Sequence, residues 1–174
     1  MLYDIIKNEY LLDVARQFPS IANVTTLITM IIWQKKEFYV LFWLMIFSEV
    51  SNKVFKKIAK YFMGKKKYPI IGYGLRPNIA KSGPYKTKRH TYGMPSGHSE
   101  ISACFASFLI LFTYFEKKYS FIKQFIIIVS LLFTNIYVMF SRVYEKWHTV
   151  QQTIIGSVIG YILVYIAYSV YMNL

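Results

Sequence analysis

Five apolar stretches, set apart by basic polar segments, constrain this chain more than any other feature. They cover residues 19–33, 38–50, 101–115, 121–140 and 153–172. Hydrophobic residues make up 55% of the sequence and charged residues 17%, an apolar share above that of an ordinary soluble domain. The formal charge of +13 would point to nucleic acid on a soluble domain. Here the lysines lie between the apolar runs, which is the pattern of basic loops joining membrane spans. No nucleic-acid partner is expected. The expected fold class is all-α: an integral membrane helical bundle of about five transmembrane helices with an N-terminal interfacial helix, one domain over residues 1–174. Several stretches are shorter than the ~20 residues that cross a bilayer comfortably, so tilt or polar extensions are expected.

The ends of these stretches carry further information. Residues 1–17 are not expected to be a cleavable signal, because Asp4, Lys7, Glu9, Asp13 and Arg16 interrupt any apolar core. Leu2, Ile5, Ile6, Tyr10 and Leu12 fit one face of a helix lying in the interface. The second span continues as an amphipathic helix, with Val50, Val54, Phe55, Ile58 and Phe62 on one side and Lys53, Lys56, Lys57 and Lys60 on the other. Met63-Gly64 ends it. Residues 64–95 then form a long polar loop rich in Gly and Pro, and a loop of that length in a small domain is expected to be functional. Gly156 and Gly160, four apart in the last span, fit close helix packing within one chain. Cys104 lies alone in an apolar run, so it is expected to be a small buried residue.

Two motifs carry chemistry. Pro95-Ser96-Gly97-His98 leads from the long loop into the third span, and Ser141-Arg142 precedes His148 by a short turn after the fourth. Counting spans places both on one side of the membrane. Cleaving a phosphate ester or anhydride needs charge stabilisation on the phosphoryl oxygens, a nucleophile and a proton for the leaving oxygen. A neutral imidazole is a competent nucleophile near pH 7, and a protonated one can act as the acid. Ser96-Gly97 at a helix start offers a hydroxyl and free amides to an anion, and Arg142 offers a bidentate guanidinium. Carboxylates are scarce, and none pairs with another beside either histidine in metal-ligand spacing, so no metal and no cofactor is expected.

These residues resemble the type 2 phosphatidic acid phosphatase superfamily, whose members carry Lys-x6-Arg-Pro, then Pro-Ser-Gly-His, then Ser-Arg-x5-His-x3-Asp. Residues 95–98 match the second motif in full, and Ser141, Arg142 and His148 match the third. Arg76-Pro77 matches the end of the first, but Pro69 stands where its lysine belongs, and Gln152 replaces the aspartate of the third. The run from Tyr92 to Ser99, then Arg142-Val143-Tyr144, His148-Thr149 and Gln152, is similar to dolichyl diphosphatases in particular. The resemblance implies a membrane lipid phosphatase that cuts a polyprenyl (dolichyl-type) diphosphate to the monophosphate through a phosphohistidine.

By the same resemblance, His148 attacks phosphorus, His98 protonates the leaving oxygen and Gln152 orients His148. Arg142, Arg76, Ser96 and the Gly97 amide hold the phosphoryl oxygens. Lys67 is nearest in sequence to the missing lysine, and Lys60 nearest in structural context. Two alternatives stay open: a phosphatidate or phosphatidylglycerophosphate phosphatase, and a non-catalytic homologue that binds lipid phosphate. The expected partners are the lipid bilayer and a lipid phosphate, with the oligomeric state left open. The location implied is the endoplasmic reticulum membrane for a eukaryotic-type protein and otherwise the plasma membrane. The positive-inside rule puts the site in the cytoplasm, whereas dolichyl and polyprenyl diphosphatases face the lumen or periplasm.

The remaining polar residues have quieter expectations. His90 is expected to be a solvated loop residue, and Lys86, Lys88, Arg89 and residues 65–67 to meet lipid headgroups. Glu49 is expected to reach the interface or pair with Lys53. Glu100 is expected either to serve as a first-turn acid or to contact the site's lysines.

Overall fold

The structure is a computed structural model that describes residues 8–77, 91–115 and 119–172. The expectations for Leu2, Ile5, Ile6, Lys86, Lys88, Arg89 and His90 fall outside the described residues. Five long helices make up the bundle: α1 (Glu9–Trp33), α2 (Lys36–Met63), α3 (Gly97–Phe115), α4 (Phe121–Tyr144) and α5 (Val150–Met172). Between α2 and α3 lies a two-stranded antiparallel hairpin, β1 (Lys67–Tyr68) and β2 (Gly72–Tyr73), with an isolated bridge from Leu75 to Tyr92.

The apolar periodicity dictates most of this. Helices α2 to α5 have the length and hydropathy of membrane spans, making this a multi-pass membrane protein. Their outward side chains agree: Trp43, Phe133 and Tyr165 are 63%, 64% and 72% exposed, which water would penalise and lipid would not. The inward set is a compact core in which Phe18, Leu41, Met45, Ile101, Phe108, Val138 and Val164 meet around α3. The central helix α3 packs against α1, α2, α4 and α5. Cys104 is buried within it.

Helix α1 joins two segments that the charge pattern separates. From Glu9 onward the expected interfacial helix is continuous with the first expected span, running through Pro19. The charges do not break it because they satisfy one another: Asp13 and Glu9 both pair with Arg16, and the Asn8 side chain accepts from the Tyr10 amide at 2.9 Å. The amphipathic extension of α2 ends at Gly64, whose positive φ of 52° favours glycine, with its amide on Lys60 O at 3.2 Å.

Glycines in α5 decide how close the two motifs come. A Cβ at Gly156 would overlap the carbonyl of Ser96, and one at Gly160 would overlap the carbonyl of Glu100. The backbones therefore touch, and Ser96 N donates to Gln152 O at 3.0 Å across the contact. The glycine pair thus serves packing within the chain. Gly156→Ala is expected to destabilise the protein by about 1–3 kcal/mol through overpacking against backbone that cannot move aside. It should also lower, at least ~10-fold, any reaction the two motifs carry out together, because misplacing a site by about an ångström is costly to the chemistry. Thermal unfolding in detergent, run beside the activity assay, checks both.

Candidate active site

Three elements converge at one end of the bundle. Helix α3 begins at Gly97 and brings the positive end of its dipole, with Ser96 fully buried just ahead of it. Helix α4 ends at Tyr144, and the chain folds back so that the amides of Trp147 and His148 both donate to Arg142 O, at 3.0 and 3.1 Å. Helix α5 starts at Val150 with a capping box. The Gln152 amide donates to Thr149 Oγ1 at 3.3 Å, and the Thr149 amide donates to Gln152 Oε1 at 3.3 Å.

That box positions His148. His148 is 3% exposed, and its Nδ1 donates to Gln152 Oε1 at 3.1 Å. The amide orientation of Gln152 is settled by its other end, where Nε2 donates to Tyr73 O and Leu75 O, both at 2.8 Å. Carbonyls only accept, so Nε2 faces them and Oε1 faces His148. The proton of His148 consequently sits on Nδ1, which leaves the Nε2 lone pair for attack. Burial holds the His148 pKa well below its ordinary value of 6.5, with the charges of Arg76 and Arg142 acting in the same direction. The imidazole is therefore neutral at physiological pH. The imidazole takes up a second proton only as pH falls through that lowered value. The acid limb of kcat/KM, corrected for the substrate's own ionisation, is accordingly expected below pH 6.5, and a pH–rate profile checks it.

Two arginines flank His148. Arg76 and Arg142 stack on Trp147, with guanidinium carbons 5.4 and 5.5 Å from the ring centre. Arg76 is held by its amide on Thr91 O at 3.0 Å. Arg142 is 6% exposed, and its Nη1 donates to the buried Glu145 at 3.2 Å. The Nε atoms of Arg76 and Arg142 are buried without a hydrogen-bond partner among the described residues. A buried N–H donor ordinarily has an acceptor, so the pair marks where an anion fits.

His98 sits in the first turn of α3, two residues after Ser96. Its Nε2 lies 3.1 Å from Arg16 O, on helix α1. Glu100 is fully buried and accepts from Ser48 at 3.3 Å, Ser51 at 2.9 Å and Asn52 at 2.6 Å. Asn52 in turn backs Gly97, where an added Cβ would come within 3.0 Å of its Oδ1. Glu49 takes the Asn23 amide at 2.5 Å, an α1–α2 tie that spacing to Lys53 does not reveal.

The structure thus brings together His148, His98, Gln152, Arg142, Arg76, Ser96 and Gly97. It does not place Lys67 with them: Lys67 is exposed on β1 with its ammonium over the Tyr73 ring at 5.7 Å, and Lys60 lies over Tyr92 at 5.9 Å. Half-buried Lys56 is the lysine whose charge acts on His98, Arg76 and Glu100. Counting back from Arg76 misses it, because the β1–β2 hairpin takes up the intervening chain. Trp147, Glu145 and Arg16 were also missed. Trp147 and Glu145 sit within the Arg142–His148 turn and could have been flagged there, whereas Arg16 has no local signal.

A family profile described as "PAP2 superfamily" matches residues 37–174. Over 129 residues the chain is 34% identical to Dolichyldiphosphatase 1 of Dictyostelium discoideum, covering 72% of this chain and 48% of that protein. Over 116 residues it is 28% identical to Dolichyldiphosphatase of Saccharomyces cerevisiae, covering 66% and 45%. The chain spans about half the length of these curated relatives. Among solved structures, a transmembrane PAP2 type phosphatidylglycerolphosphate phosphatase from Bacillus subtilis superposes with a TM-score of 0.66 over 98% of this chain and 81% of that one. At 18% identity, that likeness is one of fold.

Proposed function

The chain belongs to the PAP2 superfamily, and from that premise we propose that it is a membrane lipid phosphatase that cleaves a polyprenyl diphosphate to the monophosphate. The observation that carries this is the pair of buried guanidinium Nε–H donors, unpartnered among the described residues, at the Trp147 ring next to a neutral, pre-oriented His148. The likeness to dolichyldiphosphatases supports a dolichyl-type substrate.

In this reading His148 Nε2 attacks the terminal phosphorus. Its bond to nitrogen forms as the bridging P–O bond breaks, and His98 gives a proton to the departing polyprenyl phosphate. Water then attacks the phosphohistidine, His98 takes a proton from it, and inorganic phosphate leaves with His148 restored. Arg76, Arg142, the Ser96 hydroxyl and the α3 N-terminus hold the phosphoryl oxygens where negative charge is concentrated. Lys56, not Lys67, supplies the ammonium. Trp147 fixes both arginines by stacking, and Gln152 holds the tautomer of His148. A dolichyl-type substrate would place the protein in the endoplasmic reticulum membrane, and a bacterial-type polyprenyl substrate in the plasma membrane.

The test is phosphate release in detergent from a polyprenyl diphosphate and from phosphatidate, with EDTA present throughout. Preferential release from the diphosphate is expected. Preference for phosphatidate would keep the chemistry and discard the substrate. Lipid-phosphate binding without turnover would make the protein a non-catalytic homologue.

A further inference from the structure

Helix α1 lies wholly outside residues 37–174, the segment that matches the family, yet one of its turns touches the site. Pro19 has no N–H for the carbonyl four residues earlier, so the hydrogen-bond ladder of α1 has a gap at Ala15. Immediately after that gap, the carbonyl of Arg16 meets His98 Nε2 at 3.1 Å. The Arg16 side chain also anchors this turn. Its guanidinium reaches Glu145 Oε1 at 2.5 Å, and the Glu145 side chain is 2% exposed. Glu145 belongs to the turn between α4 and α5, which also carries His148. Leu12, Ala15 and Phe18 are buried on the same stretch of α1.

We propose that Arg16 is a positioning residue for His98: the Arg16–Glu145 ion pair clamps α1 to the α4–α5 turn and so holds the Arg16 carbonyl on His98 Nε2. This rests on the reading of His98 as the proton donor. A carbonyl only accepts, so the contact keeps a proton on Nε2 and fixes the ring plane. In the imidazolium form, which the negative charge of bound substrate favours, the exchangeable proton for the leaving oxygen is then the one on Nδ1. Releasing α1 lets the ring turn, while Arg142 keeps its own bond to the other oxygen of Glu145 at 3.2 Å and Ser96 N its bond to Gln152 O at 3.0 Å. The effect therefore falls on the chemical step and not on phosphate binding.

The experiment compares the wild type with Arg16→Ala, Arg16→Gln and Arg16→Lys in detergent. Farnesyl diphosphate serves as a short prenyl diphosphate substrate, and orthovanadate as a probe of the phosphate-holding groups. Arg16→Ala should lower kcat roughly tenfold or more, a part of the ~10²–10⁴ that a positioned acid contributes, with KM and the vanadate inhibition constant within about threefold of wild type. Arg16→Lys, which keeps the ion pair with Glu145, should recover most of the loss. If Arg16→Ala does not fold, Arg16→Gln carries the same reading.

An unchanged kcat would overturn the proposal. So would KM and vanadate inhibition worsening in step with kcat, since that is what a general loosening of the site produces. A wild type that turns over no prenyl diphosphate places the failure in the proposed function. An active wild type whose variants lack the split places it in the role of Arg16.

Discussion

His148→Ala is expected to abolish turnover, lowering phosphate release by about 10⁴-fold or more while the protein still folds and still binds vanadate weakly. The magnitude follows from removing the one side chain that, in the proposed mechanism, forms a bond to phosphorus, as distinct from one that assists it. His148 is 3% exposed, so trimming it leaves a void. Yet its backbone amide bonds to Arg142 O, and the capping box at Thr149 and Gln152 does not depend on the imidazole. A folded, inactive protein is therefore the expected outcome. His148→Asn, which refills part of the volume and can still donate to Gln152, should be equally inactive, and this separates loss of the nucleophile from loss of packing. Both are checked by phosphate release alongside melting temperature in detergent.

Gln152→Glu is the second large effect, and its direction is the less intuitive one. The wider superfamily resembled by this sequence uses an aspartate at this position, and a carboxylate opposite imidazole Nδ1 stabilises a developing imidazolium. On that argument alone a carboxylate should help. The structure argues against it. Gln152 is fully buried, and all its hydrogen-bonding capacity is used: Oε1 accepts from His148 and Thr149, and Nε2 donates to Tyr73 O and Leu75 O.

Replacing that NH₂ with an anionic oxygen leaves two carbonyls unsatisfied, at about 1–3 kcal/mol each, and sets a charge against them. The strand that carries Tyr73 should lift, and Leu75 leads directly to Arg76, so a phosphate-holding guanidinium goes with it. A loss of kcat/KM on the order of 10²-fold or more is expected, together with a lower melting temperature. Gln152→Asp should show the same loss, being too short as well. An increase in activity in either variant would mean that the aspartate of the superfamily and this glutamine do the same work.

This double use of Gln152 shows where sequence stops being informative. Its acceptor role toward His148 follows from four-residue spacing at a helix start, which any reader of the sequence can place on one face. Its donor role depends on where a hairpin more than seventy residues earlier comes to rest, and nothing local encodes that. The missing lysine has the same cause. Lys67 is nearest to Arg76 along the chain, but β1 and β2 consume the intervening residues and turn Lys67 outward over Tyr73. Lys56 was visible as one of four lysines on the polar side of α2. Only the packing of α2 against α3, through Asn52 and Glu100, singles it out.

The spans themselves were legible because hydropathy acts over the length of a helix and needs no partner to be read. The glycine pair of α5 was legible as a packing signal but not as the contact that sets Ser96 against α5. The first helix was harder. Asp13 and Arg16 look like interruptions in a linear sequence, whereas in three dimensions they pair with each other and Arg16 reaches Glu145 across the bundle. A charge that finds its partner 129 positions away is not an interruption, and no periodicity announces it.

The central claim is that phosphorus is transferred to His148. The most direct measurement is a rapid quench of the detergent-solubilised protein with polyprenyl diphosphate labelled in its terminal phosphate, followed by alkaline work-up and mapping of the modified peptide. An acid-labile, alkali-stable phosphate on His148, formed and lost at rates compatible with turnover and absent in His148→Ala, is the predicted result. Turnover with no phosphoprotein at any quench time, or phosphate carried on another residue while His148→Ala remains active, would contradict it.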